Sequence, residues 1–195
     1  DTLLYPLLAH ELGHFIDFSH TPPLYQSDRL SESYHISASD VRAALIAQAK
    51  DSREPTTSEV NDKLEALQGR VEICVREILA DLLATRMLGF SYFVALAEFL
   101  KTIATWPQAT IGKELGYPGL RFRLRTILDH LTASDFPVNV ISFFQDHSEQ
   151  PDARRLHEYL TEWGARLKSE APAETRDELD KLAESAVSKT VPVIA

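Results

Sequence analysis

The sequence has a single cysteine, Cys74, among its 195 residues. An intrachain disulfide is therefore excluded, and the lone thiol suits a reducing compartment, so we expect a cytoplasmic protein. No run of 18 or more apolar residues occurs, so we expect no membrane span in this chain. Runs of Lys or Arg are also missing. With a net charge of −9, this argues against a nucleic-acid partner, because phosphate binding requires a basic surface.

The composition is that of a globular protein, with 44% apolar and 25% charged residues. Apolar residues recur at helical spacing and no alternating strand pattern is found, so the sequence predicts a mainly α fold. The predicted helices cover residues 3–18, 40–50, 57–88, 91–104, 120–132, 136–147, 152–169 and 174–188. Residues 19–37 are polar, contain a Pro-Pro pair and are predicted to form a loop.

Several residues mark the predicted helix ends. Ser39 is expected to cap the helix over 40–50, and Thr56 and Glu59 have the spacing of a capping box for the long helix. Gly69 could break that helix, and Gly89 is expected to end it.

A segment of Ala171, Pro172 and Ala173 predicts a linker. We therefore expect a helical domain over residues 1–170, followed by a linker, charged helix and tail over 171–195. The chain opens on Asp1 and reaches its main motif within ten residues, so we expect a fragment of a longer protein whose other domains are possible partners.

The main motif is His10-Glu11-Leu12-Gly13-His14, an HExxH pattern. On a helix, residues four apart lie on one face, so both imidazoles can point at one ion, which this pattern predicts to be Zn²⁺. Glu11 could then take a proton from a metal-bound water. Gly13 is costly inside a helix, and close approach of another element beside the metal would explain it.

A catalytic zinc takes a third protein ligand, and Glu77 is the first candidate. Asp81 lies four residues later on the same helix face. There it could accept the spare ring N–H of a ligating histidine and fix the orientation of that ring.

With these residues the sequence resembles the gluzincin metallopeptidases, in which HExxH on one helix is followed by ExxxD on a later one. It also looks like the smaller ImmA/IrrE-type group. The resemblance covers residues 7–18 and 72–90. It implies a zincin-like helical core, with zinc held by His10, His14 and Glu77. Gluzincins align substrate on a strand before the HExxH helix, and we expect any such strand to lie upstream of this fragment.

His20 is the alternative third ligand, because His10, His14 and His20 have metzincin spacing. The metzincin glycine is replaced here by Asp17, however, and the only methionine, Met87, lies in a helical pattern instead of a Met-turn. We therefore predict that His20 is a loop histidine.

Residues 117–121 loosely resemble the HP-then-Arg segment of membrane-associated CAAX-type gluzincins, with Tyr117 in place of histidine. Tyr117 or Arg121 could stabilise the oxyanion of a tetrahedral intermediate, although a simple Pro turn before a helix is the other interpretation. Arg121, Arg123 and Arg125 are expected on a solvated helix face.

These residues favour zinc-dependent hydrolysis of a peptide or protein substrate, with Glu11 activating a zinc-bound water. The alternative is a non-catalytic, zinc-bearing sensor or interaction domain of a larger protein. An intact Glu11 argues against that alternative, because structural zinc has no use for a general base.

Overall fold

The computed structural model describes residues 4–49, 53–101, 117–133, 140–168 and 177–194. These residues are mainly helical and contain no β-strand, as the sequence predicts. Their α-helices are α1 Leu4–Ser19, α2 Asp28–Tyr34, α3 Ala38–Gln48, α4 Thr57–Leu88, α5 Phe90–Lys101, α6 Leu120–Thr132, α7 Val140–Asp146, α8 Pro151–Lys168 and α9 Glu178–Ile194. A 3₁₀ turn at Leu24–Gln26 lies between α1 and α2.

The longest helix, α4, has the predicted span of residues 57–88. The predicted capping box closes its first turn: the Thr56 hydroxyl accepts from the Glu59 N–H, and the Glu59 carboxylate accepts from the Thr56 N–H. Gly89 ends the helix with φ of 57°, a left-handed conformation that glycine adopts without steric cost.

The predicted break at Gly69 is wrong, because α4 runs through it. Leu67 and Val71, on either side of Gly69, are both buried in the core. Their packing outweighs the penalty of about 1 kcal/mol for a helical glycine.

The predicted loop over residues 19–37 is also partly wrong, because residues 28–34 form α2. Leu30 and Tyr34 lie four residues apart and are both buried, so one face of this short helix packs into the core. The next helix starts earlier than predicted, since Ser37 and not Ser39 caps it. The Ser37 hydroxyl accepts the Asp40 N–H in a capping box.

The later helices lie close to their predicted positions. The helix over 120–132 is found as predicted, and 91–104, 136–147 and 152–169 correspond to α5, α7 and α8. Residues 102–104, 136–139 and 169 lie outside the described residues, as does the predicted linker over 171–173.

The last helix, α9, extends further than the predicted 174–188. It continues to Ile194, so the tail expected after residue 188 is helical as far as the structure describes it. Its buried residues Ala183, Ala186 and Val187 join the core formed with α2, α3 and α4. The terminal segment is therefore packed against the helices that precede it.

Two apolar clusters form the core, and α4 contributes to both. Ala84 joins the cluster formed mainly by α5, α6 and α8, whereas Val71 and Ile78 belong to the cluster with α2, α3 and α9. Helix α1 packs along α4 through its buried residues, which include Ala9 and Gly13. The HExxH helix is thus held against α4, the helix that contributes to both clusters.

Within the described parts of the chain, every helix is too short or too polar to cross a lipid bilayer.

Candidate metal centre

Helices α1 and α4 make backbone contact at Gly13. A Cβ atom added to this glycine would lie 2.8 Å from both Cα and the carbonyl oxygen of Ala80. Any side chain here would therefore force the two helices apart. The glycine inside HExxH thus permits the close approach that the sequence analysis gave as a reason for it, and this approach brings the histidines to Glu77.

His10, His14 and Glu77 form one compact group. Glu77 Oε2 lies 3.3 Å from His10 Nε2, and Glu77 Oε1 lies 3.2 Å from His14 Nε2. The potential ligand atoms all lie within 4.8 Å of one another. Two imidazole nitrogens and one carboxylate oxygen match the protein ligands of one class of catalytic zinc site. The group could therefore hold a metal ion.

Asp81 lies on the opposite side of the His10 ring from Glu77. It is 1% exposed, and its Oδ1 is 3.0 Å from His10 Nδ1. A carboxylate can only accept, so this contact favours a proton on Nδ1 and leaves Nε2 as the nitrogen that faces Glu77 and could bind an ion. His14 has no equivalent partner, because its buried Nδ1 makes no hydrogen bond to the described residues.

Two further side chains hold Asp81 in place. Arg123, on α6, donates from Nε to Asp81 Oδ2 and from Nη2 to Oδ1, both over 2.6 Å. The Tyr92 hydroxyl, on α5, donates to Asp81 Oδ1 and lies 3.2 Å from His10 Nδ1. Arg123 Nη1 is also 3.8 Å from Glu77 Oε2. Side chains from α5 and α6 thus fix the orientation of the Asp81 carboxylate on α4 and, through it, of the His10 ring.

These contacts keep both carboxylates ionised. Burial would raise the pKa of Glu77, but hydrogen bonds from His10 and His14 and the charge of Arg123 lower it to about 2. Burial likewise opposes ionisation of Asp81, and the Arg123 guanidinium holds its pKa well below the usual range. Burial would lower the pKa of His10, yet its bonds to Asp81 and Glu77 raise it to about 9. At neutral pH without a metal, Glu77 is therefore an anion and His10 is protonated. An ion bound at this group must displace the proton on His10 Nε2.

The sequence analysis missed Arg123 and Tyr92. Arg123 was expected on a solvated face, but its side chain is 13% exposed. A signal was present in the sequence, since Arg123 lies three residues after Leu120 and four before Ile127, within the apolar stripe of α6. A cation in such a stripe requires a buried partner. Tyr92 carries no comparable signal, because tyrosine is common in apolar helices.

Glu11 lies at the junction of two recesses. A polar one of about 480 Å³ is lined by His14, Glu77 and Tyr117 among others, and a more apolar one of about 400 Å³ lies on the other side. His10 and Glu11 line both recesses. The Glu11 side chain is exposed, and Tyr117 is about half exposed. The predicted base and the predicted oxyanion donor therefore share an open cleft with the metal-ligating group.

His20 does not belong to this group. Its ring Nδ1 bonds to the Ile16 carbonyl oxygen over 2.9 Å in the exposed turn after α1. Asp17, at the metzincin glycine position, is buried and accepts the Tyr25 N–H over 3.0 Å. Among the described residues, the third member of the cluster is Glu77.

No protein-family model, curated protein or solved structure matches this chain. The resemblance to the gluzincins therefore rests on the HExxH and ExxxD motifs of the sequence.

Proposed function

We propose that this chain is the zinc-binding part of a gluzincin-like metallopeptidase, with His10, His14 and Glu77 as the protein ligands. The observation that carries the proposal is the convergence of HExxH and ExxxD on one point, with the Glu77 carboxylate contacting both imidazoles. The contact of Asp81 with His10 Nδ1 also supports the proposal, because metal-ligating histidines ordinarily donate their second ring N–H to such a carboxylate.

The residues of the cleft have separate tasks in this mechanism. When bound, zinc would polarise the scissile carbonyl and make water acidic enough to ionise near neutral pH. Glu11 takes the proton from the attacking water and delivers it to the leaving amine. Its exposed carboxylate between the two recesses suits this role, because a substrate in the cleft must pass over it.

Tyr117 supplies a hydrogen-bond donor in the same mechanism. Its side chain lines the recess that contains Glu11 and Glu77, so the phenolic O–H can be directed at the developing oxyanion of the substrate carbonyl. Asp81 and Arg123 do not contact substrate. They hold the His10 ring in the orientation that directs Nε2 toward Glu77.

Glu11→Gln tests the proposal. The wild-type chain should bind one zinc and cleave an unstructured protein such as casein, whereas Glu11→Gln should keep the zinc and lose activity about 100-fold or more, the scale for a general base. Elemental analysis and release of soluble peptide measure the two quantities. Glu65→Gln is the matched control, because Glu65 is an exposed residue on α4, and it should change neither.

Two results would decide against this mechanism. If the purified chain held no transition metal even after incubation with zinc, the proposed zinc mechanism would be rejected. Zinc-loaded chain that cleaves no peptide and behaves like its Glu11→Gln variant would instead favour the non-catalytic, zinc-bearing domain.

A further inference from the structure

Arg76 places a cation in the polar recess of the candidate metal centre. It directly precedes Glu77 on α4 and lines the recess of about 480 Å³ together with Glu11 and Tyr117. Its charge therefore lies beside the metal-ligating group, yet no step of the proposed mechanism uses it.

Two aromatic side chains pack against the Arg76 guanidinium. Its central carbon lies 4.4 Å from the centre of the Phe18 ring and 5.2 Å from the centre of the Tyr25 ring. Both distances are within the range of cation–π attraction. The N–H groups of a guanidinium lie in its plane, so contact with aromatic faces leaves them available to an acceptor. The two rings thus orient Arg76 without using its donors.

The ion pair of Arg76 is a long one. Asp17 is its acidic partner among the described residues, with Oδ2 at 3.9 Å from Arg76 Nε, and neither atom makes a hydrogen bond within this part of the chain. Arg123 differs, because it donates two hydrogen bonds of 2.6 Å to Asp81. The Arg76 side chain is also 30% exposed, against 13% for Arg123. Arg76 therefore retains hydrogen-bonding capacity that Arg123 has already used.

The shape and charge of a guanidinium favour a carboxylate as its ligand. Two parallel N–H groups match the two carboxylate oxygens, and hydrogen bonds between charged groups are about twice as strong as those between neutral groups. A peptide carbonyl offers one neutral oxygen instead. A carboxylate in the recess would therefore bind Arg76 better than any backbone group of the same chain.

Two acidic residues of the recess restrict where such a ligand can lie. Glu77 contacts the imidazoles of His10 and His14, so its charge is largely compensated. Glu11 is exposed and would repel a second carboxylate. Binding therefore requires direct contact with the Arg76 guanidinium, away from Glu11.

We propose that Arg76 binds a carboxylate of the peptide substrate close to the bond that is cleaved. The proposal rests on the proposed peptidase function and adds a substrate class, namely peptides with an acidic group near that bond. The carboxylate can come from the C-terminus of the peptide or from an aspartate or glutamate side chain. Arg76 and Glu77 are consecutive, with Cα atoms about 3.8 Å apart, which is the length of about one extended residue.

The test measures binding instead of activity. The ¹⁵N-labelled chain is titrated with three compounds and followed by NMR, once with zinc and once with a chelator. N-acetyl-alanyl-alaninamide is neutral, N-acetyl-alanyl-alanine has a terminal carboxylate, and N-acetyl-alanyl-aspartamide has a side-chain carboxylate. One of the acids should bind about 10-fold or more tightly than the neutral compound, the scale for hydrogen bonds between charged groups. The tighter of the two acids identifies the source of the carboxylate.

Arg76→Gln and Arg86→Gln form a matched pair of variants. Both arginines are on α4 and both changes remove one positive charge, but of the two only Arg76 lines the recess. Arg76→Gln should lose the preference for the acid, and Arg86→Gln should keep it. Arg76→Lys keeps a charge near Asp17, so it serves if Arg76→Gln does not fold. It should show a weaker preference because lysine lacks the planar fork.

The outcomes separate the carboxylate site from the peptidase. No binding, equal affinity for the acids and the neutral compound, or an acid preference that survives in Arg76→Gln or is undiminished in Arg76→Lys would overturn the proposed site. Acid binding through Arg76 in a chain that cleaves no peptide would retain the site and reject the proposed function. Cleavage of casein by a chain without acid preference would do the reverse.

Discussion

Gly13→Ala tests the helix contact on which the candidate site depends. The new Cβ would lie 2.8 Å from both Cα and the carbonyl oxygen of Ala80, and 3.2 Å from the carbonyl carbon. These are backbone atoms of α4, so no side-chain rotation can relieve the clash. The helices must separate by about 0.6 Å to restore the 3.4 Å at which ordinary van der Waals contact begins.

The expected magnitude follows from two opposing effects. Alanine favours a helix over glycine by about 1 kcal/mol. Overpacking costs about 1–3 kcal/mol, and contact with rigid backbone places this substitution near the upper end. We therefore expect a net loss of roughly 2 kcal/mol in the free energy of unfolding. The displacement of α1 also exceeds the tolerance of about 0.2 Å on metal–ligand distances, so zinc affinity should fall.

Gly69→Ala is the control, because Gly69 also lies inside a helix but nothing is within 4 Å of its added Cβ. It should raise the free energy of unfolding by about 1 kcal/mol, so that the two variants differ in sign. Urea denaturation in the presence of a chelator measures both without any contribution from metal. A Gly13→Ala protein as stable as wild type, with unchanged zinc affinity, would refute the inferred close contact.

Two further predictions concern zinc affinity, measured by competition with a chelator. Loss of a residue that hydrogen-bonds to a metal ligand weakens metal binding by up to roughly 100-fold. Glu77→Ala removes a ligand itself and should weaken zinc binding by more than this, whereas His20→Ala should have little effect. The reverse order would favour the metzincin-like alternative. Asp81→Asn should weaken binding about 10–100-fold and lower the free energy of unfolding by roughly 3–5 kcal/mol, because Arg123 loses its buried partner. Asp129→Asn is the control, because Asp129 is exposed on α6, and it should change neither property. If folded Asp81→Asn bound zinc as tightly as wild type, Asp81 would not orient His10.

The sequence predicted the local features of this protein because they depend on residues close together in the chain. The span of α4 follows from a capping box at Thr56 and a glycine at position 89. The pairing of His10 with His14 on one helix face, and of Glu77 with Asp81 on another, follows from helix geometry alone. Short helices were less predictable, since α2 depends on burial of Leu30 and Tyr34 against distant residues.

Only the tertiary structure decided how the two motifs meet and what surrounds them. Arg123 reaches Asp81 from 42 residues away, and Tyr92 reaches it from the following helix. The contact at Gly13, which sets the distance between the histidines and Glu77, exists because α1 lies directly on α4. Each of these depends on the relative positions of separate helices. The spacing of residues along a helix determines which of them share a face. Side-chain packing between helices determines which of those faces come into contact.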